Sequence, residues 1–118
     1  MKIHFAVVVL SSYLSACTTS RCKADKEFVK DYQRHVQIII KEERGDSTDI
    51  DEYRNTLMYF YKVTGFRPRA EYSSTIGYSD KSKYEEDIIT LNSWLKKNKC
   101  HFTKIKSDSL LRVRLLGE

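Results

Sequence analysis

The sequence has little glycine and little proline. Only four of its 118 residues are glycine and one is proline, which argues against a collagen-like repeat, a low-complexity chain or a long disordered segment. With 41% hydrophobic and 31% charged side chains, the composition is that of an ordinary folded domain. A chain of this length forms one small domain with a thin core. We therefore expect a single, mainly helical domain.

The sequence also lacks the usual residue patterns of catalysis and metal binding. It has no glycine-rich loop that would hold a phosphate and no Cys-x-x-Cys pair. His35 and His101 are the only histidines after residue 16, and neither has a neighbouring Ser or carboxylate that would define a triad. We interpret His35 as a partly buried structural residue, because it borders an apolar helical stripe. No catalytic residue, metal or cofactor is expected.

Apolar residues are concentrated at the start of the chain. Lys2 precedes an apolar run from Phe5 to Leu10 that is too short to span a bilayer as a mature helix, as in an export signal. A buried first strand is the alternative, because the run is rich in β-branched residues. The run leads to Leu14-Ser15-Ala16-Cys17, which resembles the lipobox of bacterial lipoproteins.

This resemblance implies that residues 1–16 are a signal peptide and that the Cys17 thiol receives a diacylglyceryl thioether. After cleavage, the new amine is usually acylated as well, and two or three acyl chains hold a protein firmly on a membrane. Residues 17–22 would be the lipidated N-terminus and a short tether, followed by a single domain over 23–118. Thr18, in place of an aspartate, implies the outer membrane, and we expect the periplasmic face.

The two remaining cysteines, Cys22 and Cys100, form an even pair in an oxidising compartment. Such a pair predicts one disulfide. Its loop would hold nearly the whole domain, and closing it is worth about 4 kcal/mol in the chain-entropy view. A metal or redox site is the alternative, but His101 is the only further ligand nearby.

Three segments carry apolar residues at helical spacing. They predict helices over about 23–44, 50–64 and 80–98. Residues 46–49 offer several N-caps for the second helix, and residues 79–80 can cap the third. These patterns favour a small three-helix bundle.

Two further segments lack helical periodicity. Residues 69–79 are interpreted as a long loop with at most a short extended piece. In the tail, apolar and basic residues alternate over 111–115, which is typical of a half-buried strand, and residues 106–109 can form its turn with 102–105. We therefore expect a mainly α fold with a short C-terminal β-hairpin or extended tail, which would be α+β if the hairpin forms.

Residues 57–100 resemble a recurring segment of small helical bacterial lipoproteins and secreted helical proteins. The residues that carry the similarity are Val63-Thr64-Gly65-Phe66, Tyr84, Asp87, Trp94 and Leu95-Lys96-Lys97-Asn98-Lys99-Cys100. It covers less than half of the chain. The resemblance implies a helical fold and brings no known reaction with it.

Aromatic and basic side chains are interleaved between Tyr53 and Tyr84. Tyrosine and arginine are favoured at binding surfaces, since each combines a large contact area with a polar end. The alternative is that these aromatic residues pack on the helical bundle. We hypothesise a partner-binding surface made by Tyr59, Tyr61, Arg67, Arg69, Tyr72 and Tyr78.

Together, these features predict a non-enzymatic, membrane-anchored periplasmic lipoprotein. It would bind a protein partner or an envelope component in an accessory, inhibitor or immunity-type role. The alternatives are a structural lipoprotein that rests on anionic headgroups and, third, an enzyme acting on envelope polymers. The mature chain's net charge of +4 matches anionic lipids, a polyanionic glycan or an acidic protein. No nucleic-acid partner is expected, because an export signal would send the protein away from nucleic acid.

Overall fold

The structure, a computed structural model, describes residues 22–46, 48–73 and 75–114. These residues form four helices and one pair of short strands. The elements are α1 (Lys26–Glu43), α2 (Ile50–Thr64), β1 (Glu71–Tyr72), β2 (Ile76–Gly77), α3 (Lys81–Asn98) and α4 (Lys104–Leu111). The predicted mainly α fold is confirmed, and one short hairpin makes it α+β. The predicted signal peptide and Cys17 lie outside the described residues.

The three predicted helices begin at acidic N-caps. Asp25, Asp49 and Asp80 each accept a hydrogen bond from a backbone N–H of the following turn, which satisfies amide groups that have no partner within the helix. Helix α2 ends at Gly65, whose φ of 78° lies in the left-handed region that glycine adopts without strain. Local signals therefore set these helix boundaries.

The tail was predicted as a strand and is helical instead. Thr103 caps α4 by accepting a hydrogen bond from the Lys106 amide at 3.1 Å, and Lys104 donates to Asp108 one turn later at 2.6 Å. This N-cap and the i,i+4 pair favour a helix. They outweigh the strand preference of the apolar and basic residues that alternate over 111–115, because that alternation covers only a few residues. Residues 115–118, the end of the predicted strand, lie outside the described residues.

The hairpin lies between α2 and α3 rather than at the C-terminus. Strands β1 and β2 pair antiparallel, with Glu71 opposite Gly77 and Tyr72 opposite Ile76. The pair occupies the segment that was interpreted as a loop with a short extended piece. Gly77 lies next to Glu42, near the end of α1. We call residues 66–73 and 75–80 the hairpin end.

The helices share one core that is rich in aromatic side chains. The Tyr32 ring lies parallel to Trp94, with centroids 5.5 Å apart, and its hydroxyl donates to the Leu91 carbonyl at 2.7 Å. That hydrogen bond satisfies the polar end of a fully buried ring. The fully buried apolar side chains are Phe28, Tyr32, Ile39, Tyr53, Phe60 and Leu91.

The predicted disulfide is confirmed. Cys22 and Cys100 are bonded, with their Cα atoms 5.5 Å apart, so the start of α1 is joined to the end of α3. Asp25 adds α4 to this junction, because its Oδ2 accepts a hydrogen bond from the Lys104 amide at 2.8 Å. We call residues 22–27 and 96–106 the disulfide end. Helix α1, about 27 Å long, runs from this end to Glu42, which lies next to Gly77 of β2.

Candidate functional site

The segment after α2 is held by one buried carboxylate on α3. Asp87 is 0% exposed. Its Oδ2 accepts from the Arg69 amide at 2.7 Å and its Oδ1 accepts from Arg69 Nε at 2.9 Å. The Tyr78 hydroxyl also donates to Oδ2, at 2.9 Å. A buried carboxylate needs such partners because an unpaired charge in the core is costly. Asp87 therefore ties both flanks of the hairpin to α3.

This arrangement gives two residues of the predicted binding surface a structural role. Arg69 is engaged with Asp87 and also with Glu86, whose Oε2 is 2.9 Å from Nη2. Tyr78 is half-buried, and burial together with the hydrogen bond to Asp87 raises the pKa of its hydroxyl. Both side chains thus position the loop, and the Arg69 side chain is also 43% exposed. The sequence did not reveal this role, because Asp87 is 18 residues from Arg69.

The position of Tyr59 corrects the predicted binding surface. It is 2% exposed, and its ring stacks on His35 with centroids 3.8 Å apart. Phe60, the next residue, is also fully buried. Tyr59 is therefore part of the core between α1 and α2 and cannot contact a partner at the surface.

The other three predicted residues, Tyr61, Arg67 and Tyr72, line a single pocket of about 180 Å³. Arg54 of α2 lines the same pocket; it belongs to the interleaved aromatic and basic stretch but was not among the six residues predicted for the surface. The remaining lining residues are Asn55, Leu57, Met58 and Pro68. We call this site the arginine-tyrosine pocket. Its helical part was detectable in the sequence, because Arg54, Met58 and Tyr61 recur at the spacing of one helix face.

Each arginine of the pocket lies over a tyrosine ring. Arg67 Cζ is 5.6 Å from the ring centroid of Tyr61, and Arg54 Cζ is 5.9 Å from that of Tyr72. Arg54 Nε and Nη2 also donate to the Tyr72 carbonyl at 3.2 and 3.1 Å, and Arg67 Nη2 donates to the Tyr72 hydroxyl at 3.4 Å. These contacts hold both guanidinium groups in place before any ligand binds.

The charge of the pocket is only partly compensated. Arg67 is in no ion pair with any residue that the structure describes. The carboxylate nearest to Arg54 is that of Asp51, at 3.9 Å, and the Asp51 side chain is 80% exposed. Both guanidinium groups therefore keep donors for a bound carboxylate, which arginine recognises through paired N–H groups.

His35 lies in a second polar cluster, within the core. Its Nε2 accepts from Arg34 at 3.2 Å, and its Nδ1 is 3.0 Å from Thr56 Oγ1. Asp31 lies 4.0 Å from Nε2. Burial, reinforced by the charge of Arg34, lowers the pKa of His35 to about 4. Thr56 is 0% exposed, so its hydroxyl cannot reach a substrate, and the predicted structural role of His35 agrees with its burial.

The described ranges contain no group of three His, Cys, Asp or Glu side chains that could hold a metal ion. Within those same ranges, every helix is too short or too polar to cross a bilayer. No family model, curated protein or solved structure matches this chain.

Proposed function

We propose that this chain is an exported lipoprotein that binds a protein partner through the arginine-tyrosine pocket. Acylation of Cys17 would hold it at the periplasmic face of the outer membrane. The binding role is carried by one observation: two preorganised guanidinium groups, each lying over a tyrosine ring, border the same pocket. No catalytic step is part of the proposal.

The chemistry of the pocket selects the kind of partner. Arg54 and Arg67 provide charged donors, while Tyr61, Tyr72 and Met58 provide contact area that is largely apolar. Such a combination is typical of residues that dominate protein interfaces. A pocket of about 180 Å³ holds a side chain or a chain terminus rather than a whole domain. The preferred partner is therefore an acidic protein segment that places one carboxylate between the guanidinium groups.

The partner site can be tested by photocrosslinking in cells. A photoreactive phenylalanine analogue at Asn55, an exposed residue of the pocket, should give a discrete protein adduct, whereas the same analogue at exposed Ser93 should not. Adding Arg67→Ala should remove the adduct by weakening the interaction about tenfold or more. Arg44→Ala, at an exposed arginine, is the matched control and should leave the adduct unchanged. An adduct that survives Arg67→Ala would refute the pocket as the binding site.

The anchor is tested separately, by intact mass. The membrane fraction should contain a chain that begins at Cys17 and carries the diacylglyceryl group, with the new amine acylated. Cys17→Ser should prevent both the modification and the cleavage. Detection of only an unprocessed, unacylated chain beginning at Met1 would contradict the lipoprotein assignment and leave the pocket experiment unaffected.

A further inference from the structure

The disulfide end carries a cluster of exposed lysines. Lys23 and Lys99 are direct neighbours of the two bonded cysteines, and the Lys106 ammonium lies 4.5 Å from the Phe102 ring centroid. None of the cluster forms an ion pair with another described residue. Its members are Lys23, Lys26, Lys96, Lys97, Lys99 and Lys106.

Few carboxylates accompany these lysines. Asp25 and Glu27 are the acidic residues of this end, and the Asp25 carboxylate already accepts hydrogen bonds from backbone amides of α1 and α4. The rest of the described chain has twelve basic and thirteen acidic residues. The positive excess of the described chain is therefore located at the disulfide end.

An apolar side chain lies within the lysine cluster. Ile105, the second residue of α4, is 81% exposed, more than any other large apolar side chain in the described ranges. The residues on either side of it are Lys104 and Lys106. An exposed aliphatic side chain among lysines is typical of surfaces that lie on a membrane, where the apolar group enters the headgroup region and the cations face anionic lipid.

We infer that the disulfide end binds the surface of an anionic lipid bilayer. The position of the anchor supports this, in a step that rests on the proposed acylation of Cys17. Cys22 lies five residues after Cys17, so the two residues can be at most about 18 Å apart. The disulfide holds Cys22 beside Lys99. An anchored chain therefore presents its lysine cluster to the headgroups, and the hairpin end faces away from them.

The inference is tested without the lipid anchor. Residues 17–118 with Cys17→Ser contain every residue of the described core, all of which lie within 28–111. This chain, with its disulfide intact, should float with vesicles of phosphatidylethanolamine and phosphatidylglycerol but not with vesicles of phosphatidylcholine. Added salt should release it, because exposed charges are screened. Failure to bind the anionic vesicles at low salt would overturn the inference.

A matched pair of variants locates the contact. Lys97→Gln with Lys99→Gln should weaken vesicle binding about 10- to 30-fold, since each lysine near a lipid surface contributes roughly fivefold. Lys81→Gln with Lys83→Gln changes the net charge equally at the other end of α3, about 25 Å away. That control should shift binding by less than about twofold, because the distance exceeds the Debye length. Equal losses in both variants would overturn the assignment of the surface.

Ile105→Ser separates a bilayer from a soluble polyanion. It should weaken vesicle binding roughly fivefold, by removing an apolar group that enters the headgroup region. Vesicle binding that is unaffected by Ile105→Ser, together with equally tight binding to soluble polyphosphate, would overturn the bilayer assignment in favour of a polyanion. The Arg67→Ala variant should bind vesicles as tightly as the parent chain. The vesicle experiment and the pocket experiment therefore test the two proposals independently.

Discussion

The disulfide end and the hairpin end are held together in opposite ways. At the disulfide end, a covalent bond joins α1 to α3, and the six lysines of the exposed cluster form no ion pair with other described residues. At the hairpin end, the connection is non-covalent and depends on the buried Asp87, whose charge is compensated by Arg69. The disulfide needs no charged partner, so the exposed lysines beside it can face a surface. At the hairpin end, by contrast, the charge of Asp87 is paired with that of Arg69.

The largest expected effect is loss of the disulfide. Cys22→Ser with Cys100→Ser should lower the free energy of unfolding by about 4 kcal/mol, because the unfolded chain regains the entropy of a long loop. Urea denaturation measures this loss. Hydrogen exchange should accelerate most in α4 and at the ends of α1 and α3 that meet there. An unchanged unfolding free energy would contradict a stabilising role for the bond.

The next effect concerns the hairpin end. Asp87→Ala should cost about 3 kcal/mol, because it removes the partner of Arg69 and of the Tyr78 hydroxyl in a buried position. Glu86→Ala is the matched control, since Glu86 contacts the same arginine from a side chain that is 64% exposed. It should have a much smaller effect on urea denaturation. Equal losses in the two variants would show that burial of Asp87 is not the source of stability.

A third effect acts on the core between the two ends. His35 has a folded-state pKa of about 4 against an ordinary value of 6.5, so the unfolded chain binds its proton first as the pH falls. The stability contributed by neutral His35 is therefore complete above about pH 6.5 and is lost as the pH approaches 4. The loss amounts to about 2 to 3 kcal/mol.

The measurement is urea denaturation across this pH range. His35→Gln should remove most of the dependence between pH 4 and 6.5, whereas His101→Gln, at an exposed histidine, should leave it in place. A pH dependence that survives His35→Gln would assign it to another group.

The smallest effect distinguishes the two roles of Asp25. Asp25→Asn keeps an oxygen that can cap α1 but removes the second oxygen, which accepts from the Lys104 amide. Amide exchange at the start of α4 should accelerate, and exchange in the first turn of α1 should change little. Asp25 also has a lowered pKa, chiefly through the Lys104 amide, so the parent chain should lose this contact only in acid, below the range in which His35 titrates. Unchanged exchange in α4 would contradict the shared-carboxylate role.

Helix boundaries were predictable because their causes are local. Asp49 and Asp80 are N-caps that act on the next turn, and Gly65 ends α2 through its own backbone conformation. The tail shows the limit of such patterns. Alternation over 111–115 indicated a strand, although Thr103 offered an N-cap for a helix only a few residues earlier. Both signals are local and weak, and packing of α4 on α2 favours the helix.

Of the six residues predicted for the binding surface, three line the pocket: Tyr61, Arg67 and Tyr72. Tyr59 and Tyr61 are two residues apart on α2, and composition gives no reason to separate them. Their different exposure follows from where α1 packs, which buries Tyr59 against His35 and leaves Tyr61 beside Arg67. The structural role of Arg69 could not be predicted from the sequence, because its partner Asp87 lies 18 residues later, on α3.

The sequence alone determined the first three helices, the number of cysteines and the overall excess of positive charge. These properties depend on residue type and on interactions within one or two turns. The tertiary structure decided which tyrosines line a pocket, which arginine is used internally and where the lysines gather. Those outcomes depend on contacts between distant segments, such as the 78 residues spanned by the disulfide. It is this closure that brings Lys23 and Lys99 to the same surface.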